Sequence, residues 1–369
     1  MSRIPILTTG LQAVIAQAID QAGGWIGFDE FMALALYAPD LGYYASGLQK
    51  FGSLPGNGSD FVTAPELSPH FGQALARQIA QALDATGTNE LWEFGAGTGA
   101  LAAQLLDALG PLVARYTIVD LSSGLRERQR ERLAIHTGKI AWASELPARM
   151  RGVVLGNEVL DAMPVKLLVR TRQVWHERGV VVHGGRLVHA DRRTALRPSI
   201  DIAGEHDYLT EIHPQAEGFI RTLSDRLEAG AAFFIDYGFP EQEYYHLQRS
   251  MGTVMCHRAH RMDPDPLDDV GDKDITAHVN FTGIALAGQE AGLDVVGYTS
   301  QGRFLLNCGL LDVLPDGADA ASLVARSRAQ KLVNEHEMGE LFKVVGFGVP
   351  GTAAWSPIGF AAGDRSHML

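Results

Sequence analysis

The sequence has 369 residues, of which 46% are apolar and 20% are charged, and its formal net charge is −12. This composition is typical of a packed globular protein and excludes a disordered chain, and the length predicts two domains or one enlarged domain. The acidic excess argues against a nucleic-acid partner, because phosphate contacts need a basic surface. The longest apolar runs, such as 231–235, are too short to span a membrane.

The cysteines and the amino-terminal residues indicate the cellular compartment of the protein. Cys256 and Cys308 are the only two cysteines and provide no disulfide framework. Residues 1–9 show neither a secretory signal nor a transit peptide. We therefore expect a bacterial cytoplasmic protein, since a reducing compartment suits free thiols.

The amino-terminal part predicts helices followed by a loop with embedded aromatic residues. Apolar residues at helical spacing predict helices over 11–22 and 28–37. The segment 42–66 is interrupted by Gly, Ser, Asn and Pro, and its length and aromatic content indicate an ordered functional loop. Ser68 and Pro69 then predict the start of a further helix. We assign 1–85 to an amino-terminal helical and lid segment.

The remaining residues mostly alternate between strands and helices, which predicts a parallel sheet covered on both faces. The predicted strands are 90–94, 116–120, 139–143, 153–155, 231–236 and 343–349. The predicted helices are 98–109, 122–133, 208–227, 281–290 and 320–337, with a long polar loop over 241–276. The fold class is therefore α/β, a Rossmann-like doubly wound sheet formed by 86–165 and 208–350. Closely spaced strands with a turn at Gly184 and Gly185 predict an antiparallel insertion over 166–207.

A glycine-rich loop follows the first strand of this sheet and opens a helix. It consists of Glu93, Phe94, Gly95, Ala96, Gly97, Thr98 and Gly99. Glycine tolerates positive φ and lets a ligand approach the backbone. A phosphate-binding loop would need Lys followed by Ser or Thr, which this loop lacks. Two readings stay open: a dinucleotide fingerprint with Ala100 as its third small residue, and an S-adenosylmethionine loop, in which an acidic residue stands two positions before the first glycine.

Asp120 ends the next strand, 21 residues after Gly99. A carboxylate at this place can accept hydrogen bonds from both ribose hydroxyls of either cofactor. The alternative is a glycine turn that only packs the helix on the strand, with Asp120 as a helix cap. Cofactor binding is the favoured interpretation.

Polar residues also follow the fourth and fifth strands. Asn157, Glu158 and Asp161 come after the fourth strand, and Asp236 ends the fifth. Because the carboxyl ends of central strands border the ligand crevice, we expect these side chains beside the cofactor. Two acidic groups beside a methyl donor suit a cationic nucleophile, and we see no His or Tyr–Lys arrangement of a dehydrogenase. Helix capping by Asp161 stays open, and for Asp236 a hydrogen-bonded structural role is favoured over a catalytic one.

Three histidines in or near the polar loop raise the question of a metal. His257 and His260, with His278 further along, have no nearby Cys and no clear third ligand. We predict no metal site and interpret these residues as part of a loop that closes over a substrate.

Several separated segments together resemble the MidA-like methyltransferases, whose mitochondrial members are complex I assembly factors that methylate an arginine of a respiratory-chain subunit. The matching segments are 41–44, 60–68, 71–72, 93–99, 157–164, 235–238, 257–260 and 274–281. They span most of the chain in order, and 60–68 is not shared with methyltransferases in general. Asp120 stands where the family has Glu, and Asn280 where it has Asp, so we assign Asn280 no acid–base role.

The resemblance implies a class I S-adenosylmethionine (SAM) methyltransferase fold with SAM as cofactor. The predicted cofactor-binding residues are Glu93, Gly95, Gly97, Gly99, Asp120 and Asn157, and the predicted catalytic residues are Glu158, Asp161 and Asp236. Tyr43, Tyr44 and Phe61 are expected to form a lid, since ring faces attract cations, and core packing is the alternative.

The predicted function is methylation of an arginine side chain of a protein substrate, by resemblance a respiratory-chain subunit. Arginine keeps its proton, with a pKa above ~12, so prior deprotonation is excluded. Glu158, helped by Asp161 or Asp236, would bind the guanidinium and draw charge from the attacking nitrogen. A small-molecule methyltransferase, a non-catalytic SAM-binding assembly factor and an NAD-dependent oxidoreductase stay open as alternatives, and so does homodimerisation.

Overall fold

A computed structural model describes residues 9–45, 62–120, 123–258, 261–351 and 355–369. Within these ranges, no helix combines the length and the apolar character that crossing a membrane requires. Phe61 and His260, two of the residues singled out above, lie outside the described residues.

The secondary-structure elements of the described residues follow in chain order. The helices are α1 (Gly10–Gln21), α2 (Phe28–Tyr37), α3 (Ala64–Leu67), α4 (His70–Thr86), α5 (Ala100–Leu109), α6 (Ser123–Arg132), α7 (Pro214–Arg226), α8 (Glu241–Tyr244), α9 (Phe281–Glu290), α10 (Gln301–Asn307), α11 (Ala320–Val333) and α12 (Met338–Leu341). The strands are β1 (Ile26–Gly27), β2 (Glu90–Phe94), β3 (Arg115–Val119), β4 (Ile140–Ala143), β5 (Met150–Asn157), β6 (Lys166–Thr171), β7 (Val174–His183), β8 (Arg186–Arg193), β9 (Tyr208–Ile212), β10 (Leu227–Phe239), β11 (Met255–Arg258), β12 (Arg261–Asp263), β13 (Asp274–Thr276), β14 (Val279–Asn280), β15 (Asp294–Ser300) and β16 (Phe342–Gly348).

The main sheet has the strand order β15-β16-β10-β5-β2-β3-β4, and β14 adds to the end of β10. The strands from β10 to β4 are parallel, whereas β16 runs antiparallel to both of its neighbours. The chain order reverses direction beside β2, so a crevice opens at the carboxyl ends of β2 and β5. This is the predicted α/β, class I methyltransferase-like architecture.

Helices cover both faces of this sheet. On one face, α4 and α5 bury Leu75, Ile79 and Leu105 against Leu91 and Val153 of the sheet, among others. On the other face, α7 and α9 bury residues such as Ile220 and Ile284 against side chains that alternate with the first set, including Phe234 and Val345. Both faces of the central strands are therefore apolar, as a doubly wound sheet requires.

A second sheet has the order β1-β7-β6-β9, and β8 also pairs with β7. β6 and β1 pair with successive parts of one edge of β7, and β8 pairs with the opposite edge. The sheet contains the predicted antiparallel insertion, and it packs against α1 and α2 through Ile15, Phe28, Phe31, Leu167 and Val180. The first two helices therefore lie on the insertion sheet. α4, which the predicted segment 1–85 grouped with them, instead packs on the main sheet.

Three secondary-structure predictions are wrong in detail. The predicted helix 208–227 begins instead with strand β9, and helix α7 starts only at Pro214, because a proline disfavours helical backbone at the residue before it. The predicted polar loop 241–276 contains α8 and a small sheet of β11, β12 and β13. β15 and α10 were not predicted, and the predicted helix 320–337 ends at Val333.

Candidate active site

A cavity of about 930 Å³ lies at the carboxyl ends of β2, β3 and β5, a volume in the upper part of the range of small-molecule sites. Phe94, Val119 and Gly156 stand side by side across these three strands, so the residues that follow them meet at one edge. The cavity continues from there to α2. We name two parts of the lining after the roles that are proposed for them: 93–98 and Asp120 form the cofactor end, and Tyr37, Tyr44 and Glu158 form the acceptor end.

The glycine-rich loop forms one side of the cofactor end. Gly95, Gly97 and Gly99 have φ values of 62°, 52° and 80°, which side chains rarely permit. A Cβ on Gly95 would stand 2.8 Å from Cγ2 of Val159, whereas a Cβ on Gly97 would meet nothing within 4 Å. The loop therefore needs glycine for its backbone shape, and it leaves open space beside Gly97.

Two acidic side chains flank this loop. Glu93 is buried and accepts a hydrogen bond from the hydroxyl of Tyr116 at 2.7 Å. Burial raises the pKa of Glu93 to about 8, although that hydrogen bond lowers it. Asp120 lines the cavity, and its Oδ2 accepts a hydrogen bond from Nε2 of Gln129 at 3.0 Å. Gln129 also donates to the carbonyl of Gly97 at 2.9 Å, so it ties Asp120 to the loop.

Asn157 is the last residue of β5 and lines the cavity. Its Nδ2 donates to Oε1 of Glu158 at 3.0 Å. Its Oδ1 is buried and has no hydrogen-bond partner among the described residues. A buried polar atom without a partner is costly, and here it belongs to a side chain that lines the cavity. The open space beside Gly97, two carboxyls and this acceptor oxygen fit a nucleoside cofactor with hydroxyl and amino donors.

Glu158 is the acidic side chain at the acceptor end. Its φ of 55° is unusual for a residue with a side chain, and its backbone N–H donates to the carbonyl of Ile235 at 2.9 Å. Such backbone strain is often found at functional sites. Burial, and then the charge of Asp161, raise the pKa of Glu158 to about 8, against hydrogen bonds from Asn157 and from the N–H of Ala64.

The other two predicted catalytic carboxylates lie behind the cavity and are not among its lining residues. Asp236 is fully buried, and its Oδ2 accepts hydrogen bonds from the N–H groups of Val159, Leu160 and Asp161 at 2.9–3.2 Å. Its Oδ1 accepts from the N–H of Tyr237 at 3.0 Å. This geometry favours the structural role for Asp236.

Asp161 is 5% exposed and accepts a hydrogen bond from the hydroxyl of Tyr237. Burial raises the pKa of Asp161 to about 6, and its carbonyl accepts from the N–H of Ala277 at 2.9 Å. Burial, and then the charges of Asp161 and Glu158, raise the pKa of Asp236. The structure thus brings the three carboxyls close together but exposes only Glu158 to the cavity.

The short helix α3 connects the two ends of the cavity. Glu66 accepts a hydrogen bond from the hydroxyl of Thr98 in the glycine loop, and it also pairs with Arg132 at 2.6 Å. At the same time, the N–H of Ala64 donates to Glu158. The segment that carries the family resemblance at 60–68 therefore contacts both the cofactor loop and the acceptor-side carboxyl.

The tyrosines of the predicted lid have different positions. Tyr43 is 1% exposed and belongs to the core beneath the insertion sheet, so the packing alternative holds for this residue. Tyr44 lines the cavity together with Tyr37, which the sequence analysis treated only as the end of a helix.

The lining is strongly acidic. Eight carboxyl residues line the cavity, and its described lining includes no Lys, Arg or His. These residues are Asp29, Glu30, Asp40, Glu66, Glu93, Asp120, Glu145 and Glu158. Asp29 is paired with Lys166 at 3.0 Å, and Glu66 with Arg132, but Glu30 and Asp40 are exposed and form no ion pair with any described residue. A cationic ligand is therefore favoured.

Of the three histidines discussed above, the structure describes His257 and His278, and neither is among the cavity-lining residues. His278 packs against Tyr237 and Phe239, and burial lowers its pKa to about 4. His257 lies in β11. In the part of the chain that the structure describes, no group of three or more His, Cys, Asp or Glu residues could hold a metal ion.

Sequence analysis missed several lining residues. Ser144, Glu145 and Leu146 follow β4, and the rule that placed Asp120 at a strand end would have found them. Phe219 lies on α7 and packs edge-on against Phe94, with ring centroids 5.1 Å apart. A residue brought in from a distant helix leaves no local signal in the sequence.

Comparison with known proteins identifies the family. A family model described as S-adenosyl-L-methionine-dependent methyltransferase matches residues 74–299, more than half of the chain. The chain belongs to this family. Its cofactor is therefore SAM rather than a dinucleotide, and the MidA-like resemblance is confirmed.

Solved structures and curated relatives agree with this family of methyltransferases. A crystal structure of a Burkholderia thailandensis protein bound to S-adenosyl-homocysteine is 52% identical, with a TM-score of 0.93 over 97% of this chain and 96% of that one. Among curated relatives, the mitochondrial protein arginine methyltransferase NDUFAF7 of Danio rerio is 28% identical over 87% of this chain and 83% of its own. The NDUFAF7 protein of Bos taurus is 29% identical over 86% of this chain and 79% of its own.

Proposed function

We propose that this SAM-dependent methyltransferase transfers the methyl group to an arginine side chain of a protein substrate. The observation that carries the proposal is the acceptor end, where the carboxyl of Glu158 faces a cavity with eight acidic and no basic lining residues in the described chain. A guanidinium is a permanent cation that carboxylates bind bidentately. The names of the Danio rerio and Bos taurus relatives support the same acceptor.

We assign the cofactor to the cofactor end. Gly95 and Gly97 line the cavity and would allow close approach of the cofactor to the backbone, while Glu93, Asp120 and Asn157 offer acceptors for its hydroxyl and amino groups. Gly99 does not line the cavity and faces Leu133 and Gln129 instead. The crystal structure of the 52% identical protein with S-adenosyl-homocysteine supports a nucleoside site in this fold. When bound, SAM supplies an electrophilic methyl group and leaves as the neutral thioether.

Glu158 has two tasks in this proposal. It accepts hydrogen bonds from the guanidinium and so fixes the attacking nitrogen in line, an alignment worth up to ~7–11 kcal/mol. It also receives the proton that the methylated nitrogen releases. For this step Glu158 must be ionised, and the bound guanidinium favours its carboxylate over the protonated form that a pKa of about 8 gives it near neutral pH before a ligand binds. The proton then passes to water. The N–C bond forms as the C–S bond breaks, and the guanidinium keeps its charge.

Asp236 and Asp161 are positioning residues. Asp236 accepts hydrogen bonds from the N–H groups of Val159, Leu160 and Asp161. These bonds fix the turn that starts at Glu158. Asp161 stands behind Glu158 and, as a negative neighbour, helps to raise its pKa. Neither side chain needs to touch the acceptor.

The acceptor is best identified by labelled methyl transfer. The purified enzyme and isotopically labelled SAM are added to lysate from a strain that lacks the gene, and labelled products are mapped by mass spectrometry. We expect the label on arginine residues of a protein, and a respiratory-chain subunit in the cytoplasm is the first candidate. Label on another side chain or only in the small-molecule fraction would refute the arginine assignment, and no label above the background without enzyme would support a non-catalytic assembly factor.

A further inference from the structure

Two stacked tyrosine rings form one side of the acceptor end. Tyr37 is the last residue of α2, and Tyr44 lies in the turn that follows. Their ring centroids are 5.6 Å apart with an interplanar angle of 22°, and both side chains line the cavity. Tyr44 also packs edge-on against the buried ring of Tyr43, at 5.0 Å. We call Tyr37 and Tyr44 the tyrosine pair.

The hydroxyls of the tyrosine pair are already engaged. That of Tyr37 donates to the carbonyl of Ala162 at 2.9 Å, directly beside the Glu158 loop. That of Tyr44 donates to both oxygens of Asp274, at 2.8 and 2.9 Å. These contacts hold the rings in fixed positions. Burial, and then the charge of Asp274, raise the pKa of both phenols, so they stay neutral and cannot act as bases.

The electrostatic surroundings of the pair favour a cation. Besides Asp274, the carboxyls of Asp161 and Asp120 act on the hydroxyl of Tyr37 and raise its pKa. Among the described residues, the lining of the cavity itself includes no Lys, Arg or His side chain. The face of an aromatic ring attracts a cation, and the attraction is stronger when the site is shielded from water.

We propose that the tyrosine pair is the surface on which the guanidinium of the acceptor packs, while Glu158 binds its edge. Arginine is weakly hydrated and stacks on aromatic faces, whereas the ammonium of lysine is compact and strongly hydrated. The pair therefore selects arginine over lysine. This inference rests on the proposed function, because it takes the acceptor to be a guanidinium.

The test uses N-acetyl-arginine amide as a probe, with the citrulline analogue as a neutral control of the same shape. Binding to the full-length enzyme saturated with S-adenosyl-homocysteine is measured by NMR titration for the wild type, Tyr37→Phe and Tyr37→Leu. We expect Tyr37→Leu to weaken binding of the arginine probe about 10-fold, and Tyr37→Phe, which keeps the ring, to weaken it much less. Citrulline and N-acetyl-lysine amide should bind weakly to all three proteins.

Affinity for S-adenosyl-homocysteine, measured by calorimetry, should stay within about twofold in both variants, which also shows that they are folded. Equal binding of the arginine probe by wild type and Tyr37→Leu would overturn the inference. So would a loss confined to S-adenosyl-homocysteine affinity, or no probe binding by the wild type. The proposed function fails separately, when mass spectrometry finds the label on something other than arginine.

Discussion

The two ends of the cavity are built in different ways. The cofactor end comes from one stretch of chain, 93–120, and depends on backbone shape, with positive φ at three glycines. The acceptor end is assembled from distant parts, since Tyr37 contacts Ala162, 125 residues away, and Tyr44 contacts Asp274, 230 residues away. A site formed by one short stretch of chain suits the cofactor, because the same cofactor binds whatever the acceptor is. A surface assembled from side chains on α2, the Glu158 loop and β13 can be changed for a different acceptor without disturbing the cofactor loop.

The largest expected effect comes from a side chain in the glycine loop. Gly95→Val should weaken S-adenosyl-homocysteine binding at least about 1,000-fold, or about 4 kcal/mol, because φ is 62° and Cβ would stand 2.8 Å from Val159. Isothermal titration calorimetry measures this loss. Gly87→Val is a matched control, since Gly87 has φ 61° at the end of α4 and lies outside the cavity lining.

The control should lose stability to a similar backbone strain but bind S-adenosyl-homocysteine like the wild type. Affinity of Gly95→Val within threefold of the wild type would mean that the cofactor end does not depend on this backbone shape, and the contrast between the two ends would be lost.

The next effect concerns stability rather than binding. Asp236→Ala should lower the free energy of unfolding by about 2–3 kcal/mol, because the N–H groups of four residues, two of them in buried hydrogen bonds, lose their acceptor. Urea denaturation measures the change, and Asp236→Asn should lose less because one oxygen remains. A loss for Asp236→Ala below 0.5 kcal/mol, by order of magnitude, would contradict the positioning role.

The same contrast explains what the sequence could predict. Glu93 lies at the end of β2, and the glycines and Asp120 follow strands in a regular strand–helix alternation, so spacing alone predicted that they meet at one edge. Glu93, Gly95, Gly97 and Asp120 do line the cavity, whereas Gly99 does not. Tyr37 ended a helix with nothing in its neighbourhood to mark it, since its partners are remote. Asp161 follows β5 as Glu158 does, and Asp236 lies near the end of β10, so only the direction of their side chains, set by tertiary packing, keeps both out of the cavity. The strand β9 was missed because a short apolar run before Pro214 fits either helix or strand.

A third prediction concerns pH. The pKa of Glu158 in the folded protein is about 8, above the ordinary value of 4.5, so the folded state holds a proton that the unfolded chain releases. The free energy of unfolding should therefore fall as pH rises from 4.5 to 8, by at most about 1.4 kcal/mol per pH unit for each such carboxyl. Glu93 contributes in the same direction.

Glu158→Gln removes one of these buried acids. Without ligand, this variant should be more stable than the wild type by at least about 1 kcal/mol at pH 8 and about equally stable at pH 5. Thermal or urea unfolding at the two pH values decides it. If the difference in free energy of unfolding between Glu158→Gln and the wild type is the same at both pH values, the carboxyl of Glu158 is already ionised in the folded protein at pH 5.

The smallest effect should come from α3. Glu66→Gln weakens the contacts of Glu66 with Thr98 and Arg132 and should lower S-adenosyl-homocysteine affinity about 3–10-fold, since both partners support the glycine loop. Glu131→Gln, on the exposed side of α6, is the control. Equal S-adenosyl-homocysteine affinities for Glu66→Gln and Glu131→Gln would contradict this prediction and would mean that α3 does not support the glycine loop.

The central claim is that a carboxylate at the acceptor end acts on the acceptor and not on the cofactor, and Glu158→Gln tests it most directly. The measurement pairs calorimetric binding of S-adenosyl-homocysteine with labelled methyl transfer to lysate proteins from the deletion strain. The account predicts binding within about threefold of the wild type and transfer reduced at least about 100-fold. Transfer at the wild-type rate, or a loss of transfer that merely follows a loss of cofactor binding, would contradict it.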